Sequence, residues 1–291
     1  MSNKVRANLY GLSAIVCFSL AFPLSRLALR QFTPNTLGFL RCCIAGGVLF
    51  IAGKWLGLKK PMKKTHLFLF LAAGASGFGV YLMFFNLGIQ SITSATSSII
   101  VATAPVMTAV AASLLYKERI SPIGIIALLG AFAGVTIVIL WEGVLSINVG
   151  ALWTLAAAAL LVLYNLLSRR LTRMGYQAID ITTYGLLSGA LLLLPFAGES
   201  IDVLSRVDAM GLVYLLALSV FPSALGYYFF GRGFQVAEKV TDVTNYMFVT
   251  PLFASVMGFL MLGETLNLGT ALGGAVIIGS IVIFNFFGKK A

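Results

Sequence analysis

Apolar runs of membrane-crossing length, separated by short polar links, fill the chain from end to end. A helix needs about 20 mostly apolar residues to cross the hydrocarbon core. Ten stretches qualify: residues 8–29, 35–55, 67–88, 92–115, 121–141, 148–168, 179–197, 210–231, 241–262 and 268–287. The links carry turn formers, at Thr33-Pro34-Asn35, Gly57 to Pro61, Ser121-Pro122 and Gly198-Glu199-Ser200, and none is long enough to hold a soluble domain. The first stretch is too long for a cleaved signal peptide and lacks a small-x-small cleavage site. The pattern predicts an all-α polytopic membrane protein with ten transmembrane helices.

Composition agrees with this reading. Of 291 residues, 59% are hydrophobic and 10% charged, against about 25% charged in an ordinary soluble domain. The mean hydropathy is +0.99. A net charge of +11 raises nucleic acid as a partner, but the basic residues fall in small groups between apolar runs instead of forming a patch on a soluble fold. Such groups mark membrane flanks. With the amino terminus inside, ten crossings place both termini in the cytoplasm. The inner segments then hold Lys4, Arg6, Lys54, Lys59, Lys60, Lys63, Lys64, Lys117, Arg119, Arg169, Arg170, Arg173, Arg232, Lys239, Lys289 and Lys290. The outer links keep only Arg30 and Arg206, and Arg26 and Arg41 stay within spans. Cys17, Cys42 and Cys43 lie in apolar stretches and read as small buried hydrophobes. His66 is the only histidine, so neither a metal site nor a cofactor is expected.

The two halves repeat. Asn86 through Pro105 to Glu118 and Gly231 through Pro251 to Glu264 both keep Pro and Glu thirteen residues apart, displaced by 146. Leu24 to Arg30 (LSRLALR) matches Leu167 to Arg173 (LSRRLTR) at a displacement of 143. The repeats are residues 1–143 and 144–291. Five helices per repeat force the second copy to enter the membrane from the opposite side. Such a 5+5 inverted topology gives two nearly equivalent packings, the basis of alternating access in many secondary transporters.

These Pro-to-Glu elements, the glycine-rich helices after them (Gly124 to Trp141, Gly269 to Phe287) and the LGFLRCCIAGGVLF stretch resemble the drug/metabolite transporter superfamily, in particular its ten-helix EamA-type members. The resemblance covers essentially the whole chain. It implies a central cavity built by the first four helices of each repeat, with the fifth of each peripheral. It further implies transport of small metabolites, often export of amino acids or related compounds.

An ionisable side chain deep in a span is a functional candidate, and Arg41 is the clear case. It is open to pairing with a substrate carboxylate, or to snorkelling and bonding helix carbonyls. Glu118, Glu142, Asp180, Asp242 and Glu264 all fall near span ends, so no deep carboxylate is available as a proton carrier. Glu118 and Glu264 are expected to tie helix ends together. Tyr81 and Tyr227 are repeat equivalents in oppositely running helices. One is expected toward the outer side and one toward the inner, each beside a hairpin acting as a gate; headgroup anchoring is the other reading. Phe22, Tyr164, Asn165, Tyr184, Asn245 and Tyr246 are further cavity-lining candidates, each also explicable as packing. Pro105 and Pro251 are equivalent positions for a hinge or a passive kink. Ser97, Ser98, Thr103 and Thr108 enrich one helix in hydroxyls, and Gly130 to Gly134 and Gly269 to Gly273 have the spacing of helix contacts.

No catalytic residues are expected: the spans hold no His, no Lys away from their ends and no paired mid-membrane carboxylates. A channel would show rings of charge or a carbonyl filter. The expectation is a monomeric secondary transporter in the plasma membrane, or the inner membrane of a bacterium, moving a small amphipathic metabolite such as an amino acid. Lipophilic or cationic drugs and nucleoside-like metabolites are the alternative cargo. Its partners are then the substrate and the lipid bilayer, with no nucleic acid.

Overall fold

The computed structural model describes residues 3–56, 60–116, 121–142, 148–236 and 249–287, which are helical with no strand. Its helices are α1 (Asn3–Ala28), α2 (Pro34–Leu56), α3 (Lys64–Ile89), α4 (Ser94–Val101 and Ala104–Tyr116), α5 (Pro122–Glu142) and α6 (Val149–Arg173). There follow α7 (Ala178–Leu192), α8 (Ala197–Arg206), α9 (Ala209–Leu218 continued to Val236), α10 (Thr250–Leu262) and α11 (Leu268–Phe287). Six of these rods are long and apolar enough to cross a membrane, and α7 with α8 makes a seventh as a pair bent by 59°. The remaining three, in α4, α10 and α11, are apolar but shorter.

Local chemistry sets the helix ends. Thr33 and Thr36 cap α2 reciprocally, each hydroxyl accepting from the other residue's backbone N–H at 3.3 and 3.1 Å, and Pro34 fills the first helical position, where no N–H is needed. Asn148 caps α6 through Gly150 and Ala151. Asp180 accepts from the Gln177 N–H ahead of α7 at 2.8 Å.

One expected link is corrected. Gly198-Glu199-Ser200 lies inside α8 and is not a turn. In α8, Ile201 and Leu204 alternate with Glu199, Asp202 and Arg206, and Val203 packs on the apolar cluster around Leu24 and Leu37. That segregation favours a short helix at a polar-apolar boundary.

The outside of the bundle is apolar and its interior unusually polar. Ile51, Phe68, Ile126, Leu129, Leu260 and Phe286 are exposed, whereas Ser19, Ser25, Arg41, Ser76, Thr96, Ser97 and Thr183 are buried. Water would not tolerate this surface, but hydrocarbon does. The two halves interleave: α2 packs on α7, α3 on α6, and α1 on α9 and α10. α5 and α11 form their own pair at the side. There, a Cβ on Gly134 would stand 2.6 Å from Ile277 Cγ1 and 2.9 Å from the Gly273 carbonyl, so the glycine is what lets the two helices approach this closely.

Two π-helical turns interrupt the rods, Ala75–Gly79 in α3 and Ser219–Gly226 in α9. Shifted by 146, the first falls inside the second, so the interruption is itself repeated. In α9 the cause is Pro222, whose missing N–H strands the Leu218 carbonyl. The Ser223 hydroxyl donates to that carbonyl at 3.1 Å. In α3 glycines at 74 and 79 let the helix lie against Gly185 and Gly189 of α7, and Gly77 faces Tyr164 of α6.

Candidate functional site

Arg41, on α2, is 4% exposed. Its Nε and Nη2 donate to Ser223 Oγ at 3.3 and 3.0 Å, and Nη1 donates to Ser25 Oγ at 3.5 Å. Guanidinium carries five N–H donors and keeps its charge, and among the described residues no carboxylate pairs with it. A cation in the interior is thus held by two hydroxyls, one from each half. Ser223 can receive it because its own hydrogen is spent on the carbonyl that Pro222 leaves free, so the π-helical turn and the arginine site are one construction.

Aromatic rings close round this group. Tyr81 and Tyr227 both lie within electrostatic reach of Arg41 and of each other. Tyr227 packs edge-on to Phe18 at 5.1 Å and to Tyr164 at 6.4 Å, and Phe78 sits between Tyr164 and Tyr227 at 5.4 and 5.3 Å. Gly77 leaves room for the Tyr164 ring, which a Cβ there would strike. On the other side Tyr81 stacks on Phe85, which meets Phe22 edge-on at 5.5 Å.

The structure therefore brings together Arg41, Tyr81, Tyr164, Tyr227 and Phe22. Tyr81 and Tyr227, expected toward opposite ends of the bundle, both lie within electrostatic reach of Arg41. Tyr227 directly follows its π-turn, and Tyr81 follows its own after one residue, Val80. Tyr184 lies elsewhere, against Phe70 at 5.5 Å, toward the Lys60 to His66 link. In that link Lys60 donates to the Met174 carbonyl at 2.6 Å and lies over the Tyr176 ring. Asn165 points to α4, donating to Thr108 Oγ1 at 3.1 Å. The α4 hydroxyls Ser98, Thr103 and Thr108 donate to carbonyls of their own helix, and Ser97 Oγ is buried without a partner.

Pro105 and Pro251 stand at equivalent joints. Pro105 is in the first turn after the break at Ala102–Thr103, and Pro251 is in the first turn of α10. Pro105 thus follows the break in α4 without interrupting either of its helical parts. Glu264 is a helix-end tie: it pairs with Arg26 of α1 and accepts from Ser94 N at 2.8 Å and Ser94 Oγ at 3.1 Å at the start of α4. At the same end Gln31 and Asp208 exchange hydrogen bonds at 2.8 and 3.0 Å, and Thr33 donates to Glu199 at 2.9 Å. Glu118, Asn245 and Tyr246 lie outside the described residues. No metal-binding group of His, Cys, Asp and Glu occurs among the described residues.

Ser25, Ser223, Phe18 and Phe78 were not singled out from the sequence. Only Ser223 left a readable sign, a hydroxyl directly after a mid-span proline.

Comparison with known proteins bears on this arrangement. The model of the EamA-like transporter family matches the chain twice, over residues 5–140 and 148–286. A probable terminal-alkyne amino-acid exporter of Streptantibioticus cattleyicolor is 26% identical over 272 residues, covering 93% of this chain and 90% of that protein. An uncharacterised transporter of Archaeoglobus fulgidus is 27% identical, covering 92% of this chain and 95% of that protein. A chloroplastic WAT1-related protein of Arabidopsis thaliana is 31% identical over 68% of this chain and 50% of that protein. A solved crystal structure shares the fold with a TM-score of 0.64 at 19% identity, over 96% of both chains.

Proposed function

This chain belongs to the EamA-like transporter family and is an integral membrane protein, and from that premise we propose that it exports a small amphipathic metabolite bearing a carboxylate, an amino acid or a close relative, by alternating access. The observation that carries the reading is Arg41. A buried arginine costs about 2.5–3.5 kcal/mol at the centre of a membrane helix, and two serine hydroxyls do not neutralise it. A substrate carboxylate would complete the site, with the rings of Phe22, Tyr81, Tyr164 and Tyr227 receiving its apolar part.

Arg41 reaches Ser223 of the second half and Ser25 of the first, so a carboxylate bound to it would bear on both. The 5+5 repeat is supported by the family model matching each half separately; cytoplasmic termini are supported by the distribution of lysine and arginine along the sequence, and a monomer in the plasma or inner membrane belongs to the same proposal. Repeated π-turns and the paired joints at Pro105 and Pro251 support the same symmetry. Export is supported by the name of the Streptantibioticus relative. A buried cation disfavours cationic drugs as cargo.

Proteoliposome uptake of a panel of amino acids, nucleosides and cationic drugs, with and without a pH gradient, tests the proposal. Carboxylate-bearing solutes are expected to move, and Arg41→Gln to lower their flux at least tenfold. Nucleoside or drug flux that survives Arg41→Gln, with no carboxylate flux, would overturn it.

A further inference from the structure

At the α1–α2 end of the bundle lies a second basic site that the Arg41 chemistry does not use. A pocket of about 320 Å³ is lined by Arg26, Leu29, Arg30, Ile89, Gln90 and Leu262, large enough for a small organic ligand. Arg26 and Arg30 are one helical turn apart in sequence and face the same space. Arg26 is paired with Glu264, while among the described residues no acidic side chain pairs with the exposed Arg30. Two arginines against one carboxylate leave the pocket with an uncompensated positive charge. Under the topology proposed above this end is outer, where basic residues are otherwise scarce.

Glu264 identifies what the pocket can hold. Its carboxylate already sits on Arg26, a residue that lines the pocket, so the guanidinium at the pocket wall is placed to hold a carboxylate. Leu29, Ile89 and Leu262 supply apolar walls beside it. We propose that this pocket is an outer binding site for organic monocarboxylates, in which the ligand carboxylate bridges Arg26 and Arg30 and displaces Glu264. Two carboxylates crowded on one arginine repel, so ligand and Glu264 compete.

The competition has a mechanical consequence. Glu264 also holds the first turn of α4 through Ser94 N and Ser94 Oγ, so it joins the α10–α11 turn to α1 and α4 together. Ligand arriving at Arg26 unties that junction. The pocket thus doubles as a latch that a departing carboxylate opens. As the exit of a carboxylate cargo this rests on the transport reading; as a carboxylate site it does not.

Phenylacetate and its uncharged amide, phenylacetamide, titrated calorimetrically into the full-length detergent-solubilised protein, separate charge from shape. Phenylacetate is expected to bind and phenylacetamide not. Glu264→Gln, which keeps an acceptor for Ser94 N, removes the internal competitor and should tighten phenylacetate about tenfold, the scale of one charge-assisted bond. Arg30→Gln alters an exposed side chain and should weaken binding about tenfold. Repeating the titrations in the Arg41→Gln background removes the central carboxylate site, and the phenylacetate binding that remains is expected to keep the same dependence on Arg30 and Glu264. Unchanged binding in Arg30→Gln, equal binding of the amide, or weaker binding in well-folded Glu264→Gln overturns the site. If Glu264→Gln does not fold, Arg30→Gln and the amide still decide. Proteoliposomes that carry no carboxylate while the titration pattern holds would sink the transport reading alone.

Discussion

Arg41 stands out in the sequence because nothing else charged lies so deep, but its partners are invisible there. Ser25 and Ser223 belong to different halves, and only folding brings them within 3.5 Å of the guanidinium. Ser223 accepts from Arg41 and satisfies the Leu218 carbonyl, so its removal should be felt twice. Ser223→Ala is expected to lose about 1.5–3 kcal/mol, the range for hydrogen bonds to a charged group. The apparent thermal midpoint in detergent and the substrate affinity should both fall; an unmoved midpoint would show that Arg41 is held by something else. Asp208 gives a residue-scale prediction of opposite kind. The Gly211 N–H, and then Gln31, hold its carboxyl below the usual carboxylate range. A depressed folded pKa stabilises above the unfolded value near 3.8 and loses that contribution as pH falls through the folded value. Asp208→Asn should therefore flatten the pH dependence of thermal stability below about pH 4, and an unchanged profile would remove the role assigned to this cap.

Among the elements, hydropathy located the helices because lipid-facing and core-facing positions of a membrane rod are both apolar. It was blind to changes within a rod. The π-turns at Ala75–Gly79 and Ser219–Gly226 carry the same apolar composition as the turns around them. Their signals, glycines in one and a proline in the other, differ too much for one pattern to find both. The bend after Leu192 was missed for a related reason: Gly198 and Ser200 read as turn formers, while the polar-apolar segregation of α8 that makes it a helix extends past them to Arg206. The glycine spacing in α5 and α11 was read correctly, since backbone contact between rods depends only on small residues recurring one turn apart. Gly134→Ala places a methyl 2.9 Å from the Gly273 carbonyl. It should cost about 1–3 kcal/mol through overpacking, seen as a lower unfolding midpoint, while leaving flux per folded molecule unchanged because this pair stands apart from Arg41. A selective loss of flux would instead draw α5 and α11 into the transport cycle.

The whole molecule turns on how many rods cross. Six single helices and one bent pair meet the length of a membrane span, and three apolar helices are shorter. Of those three, α4 is helical from Ser94 to Tyr116 apart from one turn, roughly 30 Å end to end by its rise, enough for hydrocarbon. If none of the three crossed, seven crossings would carry Lys117, Arg119, Arg169, Arg170 and Arg173 to the outer side together with residues 289 and 290. Ten crossings keep all of them inside, which is where a membrane favours lysine and arginine. The two counts put the same residues on opposite sides, so labelling separates them. With Cys17, Cys42 and Cys43 replaced, Arg206→Cys should react with an impermeant maleimide in intact cells. Lys63→Cys and Lys289→Cys should react only after permeabilisation. Seven crossings predict the reverse for positions 206 and 289 and the same result at 63, which anchors the orientation. Labelling at 289 from outside would remove the inverted symmetry, and with it the argument that joins the two π-turns, the two proline joints and the single arginine between them.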